Sequence, residues 1–201
     1  MGLPTSQMVG NMPPMDTRQT LLDHAADLVR TRGYNGFSYA DLAERVGIRK
    51  ASIHHHFPAK EDLGVALVEQ YIQRFDRALS DIRAIRGASA RLRTYVAVYR
   101  ESLDQNWSCL CGMLASEVEV VPPAVVAGVR RFMEHNIAWL TDVIAAGQEE
   151  GEMRRELDPR ASATALLSIC QGALLVARSM QDASGFDRAV APILDFIRTP
   201  G

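Results

Sequence analysis

Cysteine is scarce in this chain: Cys109, Cys111 and Cys170 are the only three in 201 residues. Three cysteines, two of them nearly adjacent, do not make the framework of paired disulfides that holds small secreted domains together. With 47% hydrophobic and 23% charged residues, the composition is otherwise that of an ordinary globular protein. The simplest expectation is a protein of a reducing, cytoplasmic compartment.

Long apolar runs are also missing. The longest weakly polar stretch covers residues 163–177 and is interrupted by Ser168 and Gln171. A membrane-spanning helix needs about 20 predominantly apolar residues. We therefore expect no membrane span and no membrane partner.

Acidic residues are absent between Arg45 and Lys60, a segment that holds three consecutive histidines, His54 to His56. Consecutive helical side chains lie about 100° apart, whereas helical zinc sites place histidines at i and i+4 beside a carboxylate. We therefore expect no metal site and no cofactor. Four basic residues in this segment favour an anionic partner bound at one place, with a solvated turn as the alternative.

Strand patterns are almost absent, whereas signals for helix ends recur along the chain. Asp16 is a good N-cap for a first helix that ends before Gly33, and Ser38 with Asp41 resembles a capping box. Further helices are expected at about 39–46, 50–57, 60–85, 90–103, 109–120, 123–149, 159–180 and 187–197. The sequence thus predicts an all-α protein of about nine helices. Its second and third helices, joined by a tight turn at Gly47, form a helix-turn-helix at about residues 39–58.

The second helix of a helix-turn-helix enters the major groove of DNA, with its N-terminal residues near the base edges. Arg49 and Lys50 begin this helix and are able to reach phosphates or guanine, while Ala51 and Ser52 are small enough for close approach to bases. His54 and His55 are expected to donate to phosphate oxygens. These residues form the candidate DNA-binding surface, together with Lys60 at the start of the next helix.

The segment "FSYADLAERVGIRKASIHHHFPAKEDL", within residues 16–76, resembles the DNA-binding domain of the tetracycline-repressor (TetR) family of bacterial regulators. The resemblance implies a homodimer that represses promoters and leaves its palindromic operator when a small molecule binds. It also implies a phosphate-binding role for Ser38 and Lys60 and a contact of Tyr39 with the DNA backbone. The chain departs from the family pattern at His54, where Tyr is usual, and at Arg49, where Ser or Thr is frequent.

Three segments are expected: a flexible lead at residues 1–15, the DNA-binding domain at 16–76, and a helical ligand-binding and dimerisation domain at 77–201. In the family, the last two helices pair across the two-fold axis; packing within one chain is the alternative. An unknown small-molecule inducer is expected among the middle helices. The candidate ligand-binding residues, chosen by location and type, are Tyr95, Tyr99, Trp107, Met113, Phe132, Asn136, Trp139 and Gln171.

Cys109 supports an alternative function. It resembles the cysteine near the start of the corresponding helix in family members that respond to electrophiles or oxidants, so it is a candidate sensor thiol. Buried cysteines are usually inert, which leaves a purely structural role open. A metallo- or thiol enzyme is a remote alternative, because the sequence shows no paired base and no orienting acid. A helical scaffold without DNA binding is a further alternative, and no enzyme activity is expected.

Overall fold

The structure, a computed structural model, describes residues 16–105 and 107–200. In this part of the chain the regular elements are nine α-helices, which confirms the predicted all-α class. The expected lead at residues 1–15 lies outside the described residues. The helices are α1 (Thr17–Arg32), α2 (Tyr39–Val46), α3 (Lys50–His56), α4 (Lys60–Arg83), α5 (Ala88–Asp104), α6 (Leu110–Ser116), α7 (Pro123–Glu149), α8 (Pro159–Ser179) and α9 (Ser184–Ile197).

Helix α1 begins and ends where the sequence predicts. The Asp16 carboxylate accepts a hydrogen bond from the backbone N–H of Arg18, and Gly33 ends the helix with a φ of 81°. This φ favours glycine, because a Cβ would strain the backbone there. Leu21, Ala25 and Leu28, which lie on one face of the helix, are buried.

Helices α2 and α3 form the predicted helix-turn-helix. Ser38 and Asp41 make a capping box, and Gly47 ends α2 in the left-handed conformation at φ 75°. Ile53 and Phe57 of the α3 segment are buried against the first two helices. Because these two side chains point inward, the remaining face of α3 is left to the solvent.

Helix α4 is continuous across the expected domain boundary at residues 76 and 77. Its N-terminal part packs with α1, and the same helix also packs on α5 and α7. Because one helix crosses the expected boundary, a shift of α4 displaces residues in both expected domains.

Several helix ends differ from the sequence prediction. Helix α6 ends at Ser116, four residues before the predicted end, because the chain turns at Glu117. Helix α9 begins at Ser184 instead of Asp187, because the Asp182 carboxylate accepts hydrogen bonds from the backbone N–H and hydroxyl of Ser184.

Helix α8 packs closely against both α7 and α9. By length and composition α8 is apolar enough to cross a membrane, a criterion that core helices of globular proteins also meet. Eight of its residues, among them Leu166, Leu167 and Leu174, are buried within this chain.

Candidate DNA-binding surface and ligand cavity

Helix α3 presents a basic and polar face to the solvent. Ile53 anchors the helix in the core, and the predicted DNA-binding residues around it are exposed: Arg49, Lys50, Ala51, Ser52, His54 and His55. His56 is half-buried. At the start of the helix, the two basic side chains attract an anionic surface, and the two small residues leave room for its close approach.

The residues at the start of α2 divide between surface and core. Ser38 is exposed, and its hydroxyl donates to the Asp41 carboxylate at 2.6 Å. Tyr39, in contrast, is buried, and its hydroxyl donates to the carbonyl oxygens of Phe57 and Ala59 at 2.9 and 2.7 Å. The Tyr39 side chain therefore ties α2 to the end of α3, and its expected contact with the DNA backbone stays a prediction.

Lys60 is half-buried at the start of α4. Its ammonium donates to the carbonyl oxygens of Tyr34, at 2.6 Å, and of Phe37, and it lies over both aromatic rings. Burial lowers the pKa of Lys60, and the nearby carboxylates of Glu117 and Asp41 oppose this shift. Two of the three ammonium protons thus hold the α1–α2 loop, which leaves one for a phosphate.

Two other cations near α3 have partners that the sequence did not indicate. Arg45, one of the four basic residues in the histidine segment, pairs with Asp27 of α1 at 3.1 Å. Arg18 of α1 lies over the Phe57 ring, 5.1 Å from its centroid, and is exposed. Arg18 therefore brings a positive charge to the end of α3 that no local sequence signal predicts.

A cavity of about 370 Å³ opens between α1, α4 and α5 and the segment before α6. Roughly 300–1,000 Å³ is typical of ligand pockets, so this one suits a small molecule. Four of the twelve residues of its wall are aromatic and three are charged. The lining residues are Arg30, Tyr71, Arg74, Phe75, Ala78, Val98, Tyr99, Glu101, Ser102, Gln105, Trp107 and Ser108.

Of the eight predicted ligand-binding residues, Tyr99 and Trp107 line this cavity. Four others lie behind its wall in a buried cluster: Tyr95, Phe132, Asn136 and Trp139. Within the cluster the Tyr95 ring stacks on Trp139 and its hydroxyl donates to Asn136 at 2.9 Å. These four do not line this cavity, although Trp139 lines two smaller pockets elsewhere, and their role in ligand binding stays a prediction.

Met113 and Gln171 lie apart from the cavity wall. The Gln171 carboxamide oxygen packs against Gly112 of α6, where a Cβ would approach it to 2.4 Å. Its amide nitrogen is buried and has no hydrogen-bond partner among residues 16–105 and 107–200. Met113 is partly buried against the main core.

Arg30 is the cavity residue that sequence reasoning missed. It belongs to α1, the first helix of the predicted DNA-binding domain, yet its guanidinium lies over the rings of Trp107 and Tyr71, 4.5 and 5.6 Å from their centroids. In sequence, 77 positions separate Arg30 from Trp107. No periodicity reports such a contact, which only the packing of α1 on α4 and α6 creates.

Cys109 lies beside the cavity wall at the N-cap of α6 and is 3% exposed. The Tyr71 hydroxyl donates to its sulfur at 3.4 Å. The candidate sensor thiol is therefore buried. Burial also raises the pKa of Cys111 well above its usual range and that of Cys170 to about 12, so these two are poor thiolates.

Two polar contacts connect the later helices with the first three. The Glu117 carboxylate, just after α6, accepts hydrogen bonds from the backbone N–H groups of Tyr34 and Asn35 at 2.9 and 3.3 Å. Arg178 of α8 donates to the carbonyl oxygen of Arg30 at 3.1 Å. Arg30 lies in the last turn of α1. Both contacts end on α1 or on the loop that follows it.

Metal ligation has no candidate in the described ranges, where no three His, Cys, Asp or Glu side chains are grouped closely enough to hold an ion.

Known proteins resemble this chain over most of its length. Residues 21–67 match the family of bacterial regulatory proteins, tetR family, and residues 88–193 match the tetracyclin repressor-like C-terminal domain. The HTH-type transcriptional repressor DhaR from Mycobacterium sp. strain GP1 is 30% identical, over 79% of this chain and 80% of DhaR. The repressor NemR from Escherichia coli strain K12 is 26% identical, over 92% and 96%.

Solved structures give the same result. A TetR-family regulator from Agrobacterium tumefaciens superposes with a TM-score of 0.88 at 36% identity, covering 90% of this chain and 97% of that one. The reduced form of E. coli NemR superposes with a TM-score of 0.80 at 25% identity, covering 92% and 99%. Since the C-terminal family match alone spans more than half of the sequence, the chain belongs to the TetR family of transcription regulators.

Proposed function

We propose that this protein is a cytoplasmic repressor that binds a palindromic operator as a homodimer and releases it when a small molecule occupies the cavity beside Arg30. The observation that carries the proposal is the exposed face of α3. Arg49, Lys50 and Ser52 are exposed there, while Ile53 is buried and anchors the helix in the core. The relatives DhaR and NemR are both named transcriptional repressors. The protein's work is thus binding, and no catalytic role is proposed.

Each exposed residue of α3 receives a role. Arg49 and Lys50 contact phosphates or guanine at the start of the helix, and Ser52 and Ala51 approach the bases. His54 and His55 contact phosphates farther along. Ser38 and Lys60 bind phosphate from the flanks; for Lys60 this uses the one ammonium proton that the α1–α2 loop leaves over.

Different helices have different roles in this proposal. Residues 16–76 bind DNA, while residues 77–201 form the dimer and bind the ligand together with Arg30 of α1 and with α4, which is shared between the two parts. Three large apolar side chains at the C-terminal end of α8 support a dimer interface there: Leu175, Val176 and the C-cap residue Met180 are 53%, 56% and 71% exposed. Gly172 on the same face has open space around it, which permits close approach of another helix.

A salt titration tests the DNA-binding role. The operator is first selected from genomic fragments with the purified protein, and binding is then measured by fluorescence anisotropy between 50 and 200 mM salt. Lys50→Ala is expected to weaken binding and, if Lys50 contacts phosphate, to reduce the salt slope by about one. Arg86→Ala is the control, because it removes one exposed charge far from α3. Equal effects of both variants contradict the assignment of α3 as the DNA-binding face.

Sedimentation tests the dimer. Val176→Arg places a charge in the centre of the proposed interface and is expected to give monomers at micromolar concentration. Val120→Arg is the matched control, since Val120 is 62% exposed but lies in the segment between α6 and α7. A Val176→Arg protein that remains dimeric excludes α8 as the interface.

A second function is favoured by one contact: the Tyr71 hydroxyl that meets the Cys109 sulfur beside the cavity. Under this alternative the inducer is an electrophile or oxidant that modifies Cys109. The relative NemR, whose reduced form has been solved, is consistent with it. Cys109→Ser separates the two functions, because the variant keeps its response to a noncovalent ligand but loses any response to N-ethylmaleimide.

A further inference from the structure

Arg30 is a cation that has no carboxylate partner in the part of the chain that the structure describes. Its half-buried guanidinium stacks over Trp107 and Tyr71, which occupies the faces of the group but not its N–H donors. Arginine carries five such donors in the plane of the guanidinium. Within residues 16–105 and 107–200, none of them has a hydrogen-bond or carboxylate partner. A partly buried charge of this kind favours a bound anion, because bulk water screens it incompletely.

The other charges of the wall limit that anion to a single negative charge. Arg74 is already paired with Asp23 at 2.6 Å and is exposed. Glu101 is exposed at the wall, so its charge is largely screened by water, although it still opposes a second negative charge on the ligand. A phosphate dianion is therefore a poorer match than a carboxylate, which also fits the planar guanidinium with two parallel hydrogen bonds.

The rest of the wall determines the body of the ligand. Tyr71, Phe75, Tyr99 and Trp107 present aromatic surface to a space of about 370 Å³. Rings that stack or meet edge to face on such surfaces gain more than aliphatic chains of equal area. We infer that the cavity binds a small aromatic carboxylate of one or two rings, with its carboxylate on Arg30 and its rings against Trp107 and Phe75.

This inference rests on the proposed function, because it names the chemical class of the inducer and the residue through which the inducer acts. Arg30 belongs to α1, so a carboxylate bound to it contacts the DNA-binding domain directly. The carbonyl of the same residue accepts the hydrogen bond from Arg178, whose guanidinium also donates to Ser108 at 2.9 Å. A ligand that moves Arg30 therefore acts on the junction that connects α1, α6 and α8.

Matched acid and amide probes test the inference on the full-length protein. Binding of 2-naphthoate and of 2-naphthamide is measured by calorimetry without DNA, with tryptophan fluorescence as a second signal. We expect the acid to bind at least tenfold more tightly than the amide. Arg30→Gln is expected to remove this preference and Arg74→Gln to keep it. Arg30→Lys retains the charge and is expected to keep part of the preference; circular dichroism confirms that each variant is folded.

Three results overturn the inference: equal binding of the two probes, no binding of either probe at millimolar concentration, or a preference that survives Arg30→Gln. Release of the selected operator by 2-naphthoate tests the inducer role, and tight binding of the acid without any release overturns that role. Failure of the proposed function has a different signature. In that case the protein binds no duplex at low salt, while the preference for the acid and its dependence on Arg30 persist.

Discussion

Glu117 is expected to stabilise the contact between the ligand-binding helices and the α1–α2 loop. Its carboxylate accepts the N–H of Tyr34 at 2.9 Å and that of Asn35 at 3.3 Å, so Glu117→Gln is a nearly isosteric perturbation. Glutamine keeps one acceptor oxygen for Tyr34, but its NH₂ group faces the N–H of Asn35. The variant thus removes one hydrogen bond and the negative charge that strengthens the other.

The size of the effect follows from the two hydrogen bonds. Bonds to charged groups contribute about 1.5–3 kcal/mol and neutral ones about 0.5–1.5 kcal/mol. The bond to Asn35 is long and exposed, so we expect Glu117→Gln to lower the free energy of unfolding by about 1 kcal/mol. Glu117→Ala, which leaves the N–H of the buried Tyr34 without its acceptor, is expected to cost about 2 kcal/mol. For a chain of this size, 1 kcal/mol corresponds to about 2–4 °C in Tm.

Urea unfolding and amide hydrogen exchange measure these effects. Exchange at the Tyr34 amide is expected to accelerate in both variants, because its acceptor is weakened or lost. Glu119→Gln is the control: Glu119 lies two residues away, is exposed, and is expected to change stability by no more than about 0.5 kcal/mol. Equal destabilisation by Glu117→Gln and Glu119→Gln, or unchanged protection of the Tyr34 amide, refutes the reasoning.

Two further predictions concern packing and pH. Gly64→Ala is expected to destabilise the fold by about 1–3 kcal/mol, because the new Cβ would lie 2.8 Å from the Val125 side chain; Gly185→Ala meets nothing closer than 3.7 Å and is the control in thermal unfolding. The pKa of both Tyr34 and Tyr39 is raised from 10.0 to about 12, and burial is the largest cause of this shift. The folded state therefore holds these protons more tightly, so the stabilisation is complete below pH 10 and is lost as the pH rises through about 12. Urea unfolding at pH 8 to 12 measures the loss, Tyr39→Phe should reduce it, and a flat profile contradicts the prediction.

Much of the fold was predictable because its signals are local. Asp16, Ser38, Asp41 and Gly47 act on backbone groups within four residues of themselves, so the start of α1 and both ends of α2 follow from the sequence. The exposed face of α3 also follows, since helical spacing turns Ile53 inward and its neighbours outward.

Tertiary packing decided what no local pattern reports. The hydroxyl of Tyr39 bonds to carbonyl groups just after α3, a contact across 18 to 20 residues that the sequence did not indicate. Whether an aromatic residue fills a core or lines a cavity depends on the space between helices, so Tyr95 became core while Trp107 became cavity wall. Arg30 is the clearest case, because its place in the cavity exists only after α1 has packed against helices that follow it by more than 25 residues.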